Sequence, residues 1–156
     1  MKLRDFVVPQ AILPELESTQ RDEVVTELID ALIEADAVDA GLKDTLIAEI
    51  LKREKNGSTG FGKGVAIPHV KHEKIAKVTA AIGISRGGID YNALDKQPVY
   101  SIFMLLSPAD QPDQHLHAME NIFANLQNDT FRSFLRQAQT HEAVTTLLDE
   151  ADSQAL

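Results

Sequence analysis

The chain has 156 residues, with 15 lysines and arginines against 24 aspartates and glutamates, a formal net charge of −9. That length favours one domain that can bury its own core, and 44% hydrophobic with 25% charged residues excludes global disorder. The absence of cysteine excludes a disulfide scaffold, a thiolate metal site and a cysteine nucleophile. The acidic balance argues against nucleic acid, whose phosphates need a Lys/Arg field.

Met1 to Phe6 lacks the apolar stretch of a signal peptide, and the most apolar run, Val99 to Leu106, is far short of the roughly 20 residues a membrane span needs. A cytoplasmic protein with no membrane insertion is the expectation, compatible with the missing cysteines. Leu3 to Leu16, carrying Pro9 and Pro14, reads as an extended lead-in or short edge strand. Ser18 or Thr19 is the expected cap of a helix with Val24, Val25, Leu28, Ile29, Leu32 and Ile33 at 3–4 spacing. A second helix is predicted from Asp39 or Leu42 to Glu54, stopped by Asn56-Gly57.

A glycine-dense loop follows, Gly57 to Gly64, holding four of the chain's eight glycines, and leads into Val65-Ala66-Ile67-Pro68-His69. Pro68 has no N–H, so the chain is expected to leave the sheet there. Val78 to Ser85 reads as a strand ending in a turn at Arg86-Gly87-Gly88, and Pro98 to Leu106 as a continuously apolar central strand. A helix is predicted over Pro112–Leu126, with Leu116, Met119, Ile122, Phe123 and Leu126 as its apolar stripe. Short helices near Phe131–Ala138 and His141–Leu148 complete the pattern, and the polar tail from Asp149 is expected to fray. Strands interleaved with helices predict an α/β sandwich with a mixed, mostly parallel sheet. One domain is expected over residues 1–150, with 151–156 as a polar tail.

Five histidines could carry chemistry. His69 sits at a strand end after a loop whose amides suit an anion, where α/β folds tend to place ligands. A packed or surface histidine is the competing reading. His115 falls in the first turn of a helix, which favours a neutral ring able to donate one N–H. His117, two residues on, points some 200° away at about 100° per residue. His69-x2-His72 with His115-x-His117 could also be read as an imidazole-rich metal site, but no carboxylates of recognisable spacing accompany them, so no metal is expected. His141 reads as a solvated residue at a helix start.

The segment Gly60-Phe61-Gly62-Lys63-Gly64-Val65-Ala66-Ile67-Pro68-His69 resembles the active-site signature of the enzyme IIA domains of the bacterial phosphoenolpyruvate-dependent phosphotransferase system, fructose/mannitol type, which includes the nitrogen-regulatory proteins. Gly88 to Val99, Phe103 to Pro108, Gln114-His115-Leu116 and Arg53-Glu54 resemble further family segments in the right order, so the likeness covers essentially the whole chain. Val70 stands where family members often carry glycine. The resemblance implies a three-layer α/β/α sandwich around a mixed sheet.

It also implies a phosphoryl carrier needing no cofactor. His69 would accept the group from an HPr-type phosphocarrier and pass it to a IIB domain, or hold it as a signal to a regulatory target. His115 and Arg53 would stabilise the phosphoryl group, with the Ser58 and Thr59 hydroxyls and the amides of Gly60, Gly62 and Gly64 as further donors. For Arg53 the competing reading is an arginine that complements its helix dipole. With no IIB or membrane IIC segment in the sequence, a stand-alone nitrogen-regulatory-like IIA is expected, and a IIA serving a separate fructose-type permease stays open.

Overall fold

The computed structural model describes residues 1–154. The chain opens with a one-turn helix, α1 (Leu3–Phe6), and continues directly into strand β1 (Val7–Leu13). Helices α2 (Arg21–Glu34) and α3 (Lys43–Lys55) follow, the latter entered through a 3-10 turn at Ala40–Leu42. Strands β2 (Val65–Ala66), β3 (His69–His72), β4 (Thr79–Ile89) and β5 (Val99–Pro108) then complete the sheet. Helices α4 (Pro112–Leu126), α5 (Asp129–Gln137) and α6 (His141–Asp152) close the chain.

The sheet order is β1-β4-β5-β2, with β3 also paired to β5 beyond β2. Three pairings are parallel and β4–β5 is antiparallel, which makes the sheet mixed and mostly parallel. β1 is the edge strand that tolerates Pro9. Side chains alternate across a strand, and that alternation builds the layers. On β5, Ile102, Met104 and Leu106 pack with α2 and α3. Phe103 and Leu105 pack with α1, α4, α5 and α6 on the other face. The result is the three-layer sandwich.

Several boundaries differ from the sequence expectation, each for a local reason. Helix α2 is capped by neither Ser18 nor Thr19 but starts after Gln20, which makes no side-chain cap. Asp90 holds this segment extended: its N–H donates to the Thr19 carbonyl at 3.0 Å and its carbonyl accepts from Arg21 N–H at 3.3 Å. The chain does not leave the sheet at Pro68. Only Ile67-Pro68 interrupts the edge, the Ile67 N–H donating to Thr59 O at 3.2 Å, and His69 begins β3 against Leu105.

Arg86-Gly87-Gly88 is no turn but a bulge inside β4, where the pairing steps from Ile84↔Ser101 to Ile89↔Val99. Gly88 has φ +92°, and a Cβ there would lie 2.9 Å from the Pro98 Cβ. On α4, Leu116 and Phe123 are 54% and 46% exposed and so lie outside the buried stripe. Helix α5 begins at Asp129, capped by Asn128, whose side-chain oxygen accepts from Phe131 N–H at 3.0 Å.

The expected fraying from Asp149 is also corrected, because α6 runs through Asp152. The Asp152 carboxylate accepts from the N–H groups of Leu3 and Arg4 at 2.7 and 3.0 Å, so α6 caps α1 across the chain. The final part of the tail, residues 155–156, lies outside the described residues.

Candidate active site

On β3, Val70 packs toward α2 and α3. By alternation its neighbour His69 faces the α4 side, and there it meets His115. The two ring centroids are 5.6 Å apart, with the rings inclined at 53°. The Nδ1 of His69 lies 2.8 Å from the carbonyl oxygen of Ile67. A carbonyl can only accept, so Nδ1 carries the proton and the lone pair of the neutral ring sits on Nε2. The Ile67-Pro68 interruption creates this arrangement, because it frees the Ile67 carbonyl from the ladder just before His69.

His115 is 9% exposed. Its Nδ1 is 2.7 Å from the hydroxyl of Ser107, which is fully buried near the end of β5. Burial, reinforced by His69 and Lys71 nearby, lowers the His115 pKa to about 4. The ring is therefore neutral at pH 7. When the Ser107 hydroxyl donates to Nδ1, the proton sits on Nε2 and is available to an oxygen acceptor.

Beside this pair, α3 ends in a buried network. Glu54 is 4% exposed, and its carboxylate accepts from Thr59 N–H at 3.0 Å and from the Thr59 hydroxyl. Because that hydroxyl proton points at Glu54, the fully buried Tyr91 hydroxyl donates to Thr59 Oγ1 at 2.9 Å. Burial, with the Glu54 charge adding to it, raises the Tyr91 pKa strongly, so the phenol stays protonated as a donor. The chain Tyr91–Thr59–Glu54 thus ties the β4–β5 connection, the glycine loop and the end of α3 together.

The nominated donors are not all at one place. The Thr59 hydroxyl and N–H are both spent on Glu54, and Gly60 N–H donates to Ser58 Oγ at 3.0 Å. The Arg53 guanidinium, on the exposed side of α3, donates to the Gly57 carbonyl at 2.7 Å and so closes the helix end. The Gly62 carbonyl is turned back on Val65 N–H at 3.4 Å, while Gly64 O accepts from Tyr100 and Ser101 at 2.8 and 3.2 Å. Gly64 therefore lies toward the start of β5, whereas His69 pairs near its end.

His72 accepts from Lys74 N–H at 3.0 Å in the turn after β3, and His117 is exposed. Among the described residues no three His, Asp or Glu side chains gather as a metal site. His141 is the exposed first residue of α6, its ring against Pro9 O. Sequence reasoning missed Glu54, Tyr91 and Ser107 as structural participants. The legible signal for Glu54 was its place in the last turn of a helix, where a carboxylate opposes the dipole that Lys52, Arg53 and Lys55 complement.

Residues 5–151 match the family described as "Phosphoenolpyruvate-dependent sugar phosphotransferase system, EIIA 2". The chain belongs to this family. It is 39% identical to a nitrogen regulatory protein of Klebsiella oxytoca over 129 residues, 80% of this chain and 78% of that protein. It is 29% identical over 152 residues to the fructose-specific EIIABC component of Bacillus subtilis; this is 97% of the chain but only 24% of that longer protein. Among solved structures, the nitrogen regulatory protein IIA-Ntr of Neisseria meningitidis superposes with a TM-score of 0.81 at 28% identity, covering 92% of this chain and 97% of that one. The mixed α/β sandwich described above is thus the fold of the IIA family, and no helix among the described residues is long and apolar enough to cross a membrane.

Proposed function

We propose that this EIIA family member is a phosphoryl carrier whose acceptor atom is Nε2 of His69. The observation that carries the reading is the Nδ1–H···O=C bond to Ile67, which leaves Nε2 as the nucleophilic nitrogen. In the transfer, the Nε2 lone pair forms an N–P bond while the N–P bond to the donor's phosphohistidine breaks. The donor ring, protonated on its other nitrogen, leaves as a neutral imidazole. The His69 proton stays on Nδ1, hydrogen-bonded to the Ile67 carbonyl, so no net proton transfer is needed. A transferring phosphoryl group asks for positioning and charge compensation. A neutral His115, at 5.6 Å between ring centroids, supplies one N–H toward a phosphoryl oxygen when Ser107 donates to its Nδ1.

The donor is an HPr-type phosphocarrier, and the acceptor a IIB domain or a regulatory target. An exposed apolar stripe beside the histidines supports a protein partner. Leu116 and Phe123 of α4 are exposed, and Phe61 of the glycine loop packs 4.9 Å from Phe123 between centroids. The greater identity to a nitrogen regulatory protein supports a regulatory output. Incubation with phosphoenolpyruvate, enzyme I and an HPr-type carrier, followed by intact-mass measurement, tests the reading. One acid-labile phosphoryl group is expected on the wild type and none on His69→Ala; a label that persists in the variant refutes it.

A further inference from the structure

A cavity of about 580 Å³ lies at the start of β5, within the range of small-molecule sites. It lies away from the two histidines: Val65 pairs with Ser101 there, whereas His69 pairs with Leu105, four residues or about 13 Å further along the strand. In a protein of net charge −9, four cations line it, Lys63, Arg86, Arg132 and Arg136, with a single carboxylate, Asp129. Two are answered by carboxylates. Arg132 pairs with Asp129, and Arg86 with Glu15 at 3.6 Å. Among the described residues, Lys63 and Arg136 are ion-paired to nothing.

These two are nonetheless held in place. The Arg136 guanidinium carbon sits 3.5 Å from the centroid of the Tyr100 ring, a cation–π contact that fixes its fork. The ring is itself wedged, since a Cβ on Gly64 would come within 3.2 Å of it and one on Gly88 within 3.1 Å. Lys63 donates to Gln127 Oε1 at 3.2 Å. An ordered guanidinium with no carboxylate partner, lining the same concave site as a lysine that is not ion-paired, is the chemistry that binds a phosphate.

We propose that this cavity is a second site, for a small organic phosphate monoester. The two unanswered positive charges match the roughly −1.5 to −2 of such a group near pH 7. The remaining polar wall suits a hydroxylated body: the Ser133 hydroxyl, accepting from Gln137 Nε2 at 3.1 Å, and the amide of Gln139.

Calorimetric titration at low salt, with amide chemical shifts recorded in parallel, tests this using glucose 6-phosphate, glucose and inorganic phosphate as probes. The expected result is one-to-one saturable binding of glucose 6-phosphate, with shifts at Gly64 and Ser133, weaker binding of inorganic phosphate and none of glucose. Arg136→Gln and Lys63→Gln should each weaken it at least about tenfold. The exposed Lys63 keeps the test sharp if loss of the Tyr100 contact unfolds the Arg136 variant. The proposal is overturned by an absence of saturable binding, by full affinity in the Lys63 variant, or by shifts centred on His69 and His115. Inorganic phosphate binding as tightly as the monoester would overturn the organic ligand.

Discussion

The Nδ1 of His69 lies 2.8 Å from the carbonyl oxygen of Ile67, two residues earlier in the same chain. That single contact sets the tautomer, orients the ring toward His115 and decides which nitrogen is nucleophilic. It exists because Pro68 interrupts the edge of the sheet for two residues and β3 then resumes pairing with β5.

His115 is expected to titrate near pH 4 in the free protein, well below an ordinary histidine, because the buried ring resists protonation. Between about pH 6.5 and 4 the unfolded chain binds this proton and the folded chain does not. The stability contribution is therefore complete above about 6.5 and lost as pH falls toward 4. Thermal midpoints measured across this window should fall less steeply in His115→Gln. Phosphorylation of His69 should raise the His115 pKa, since an adjacent anion favours imidazolium; ring-nitrogen NMR shifts measure both values.

Ser107→Ala should slow phosphoryl transfer by about tenfold or more while leaving His69 phosphorylatable, because the neutral His115 loses the partner that directs its tautomer. Single-turnover rates from the phosphorylated carrier check this. An unchanged rate would remove Ser107 from the account.

The buried chain Tyr91–Thr59–Glu54 should behave as a positioning device. Glu54→Ala leaves the Thr59 N–H and hydroxyl without their acceptor and should cost about 3 kcal/mol in urea unfolding. Tyr91→Phe removes one donor to Thr59 and should cost only about 1 kcal/mol.

Gly88→Ala meets both a left-handed backbone, φ +92°, and the Pro98 side chain at 2.9 Å. A loss of about 2 kcal/mol is expected from urea denaturation. Gly87→Ala, where a new Cβ meets nothing within 4 Å, should cost much less.

The α/β class and the mixed sheet with helices on its faces were legible because apolar spacing and alternation are local properties, whereas the strand order was not. β5 and α4 could be read almost to the residue from Val99–Leu106 and Pro112–Leu126. Both candidate histidines were legible as well, through the glycine loop and the proline-started helix. The remainder depended on contacts distant in sequence. The Asp90 bonds that displace the α2 cap, the Asp152 cap on α1 and the Tyr91–Thr59 link have no neighbouring signature. Gly87-Gly88 reads as a turn in one dimension, and only the pairing of Ile89 with Val99 makes it a bulge. The use of Thr59 by Glu54 was hidden for the same reason, because a hydroxyl next to a glycine loop looks free until its acceptor is in view.

The central claim is that Nε2 of His69 is the phosphoryl acceptor. Nitrogen–phosphorus coupling in NMR spectra of the phosphorylated protein, with ring nitrogens labelled, tests it most directly. The expected result is one phosphorus coupled to Nε2 of His69, with the Nδ1 proton retained against Ile67. Coupling to Nδ1 of His69, or to a ring nitrogen of His115, would contradict the account.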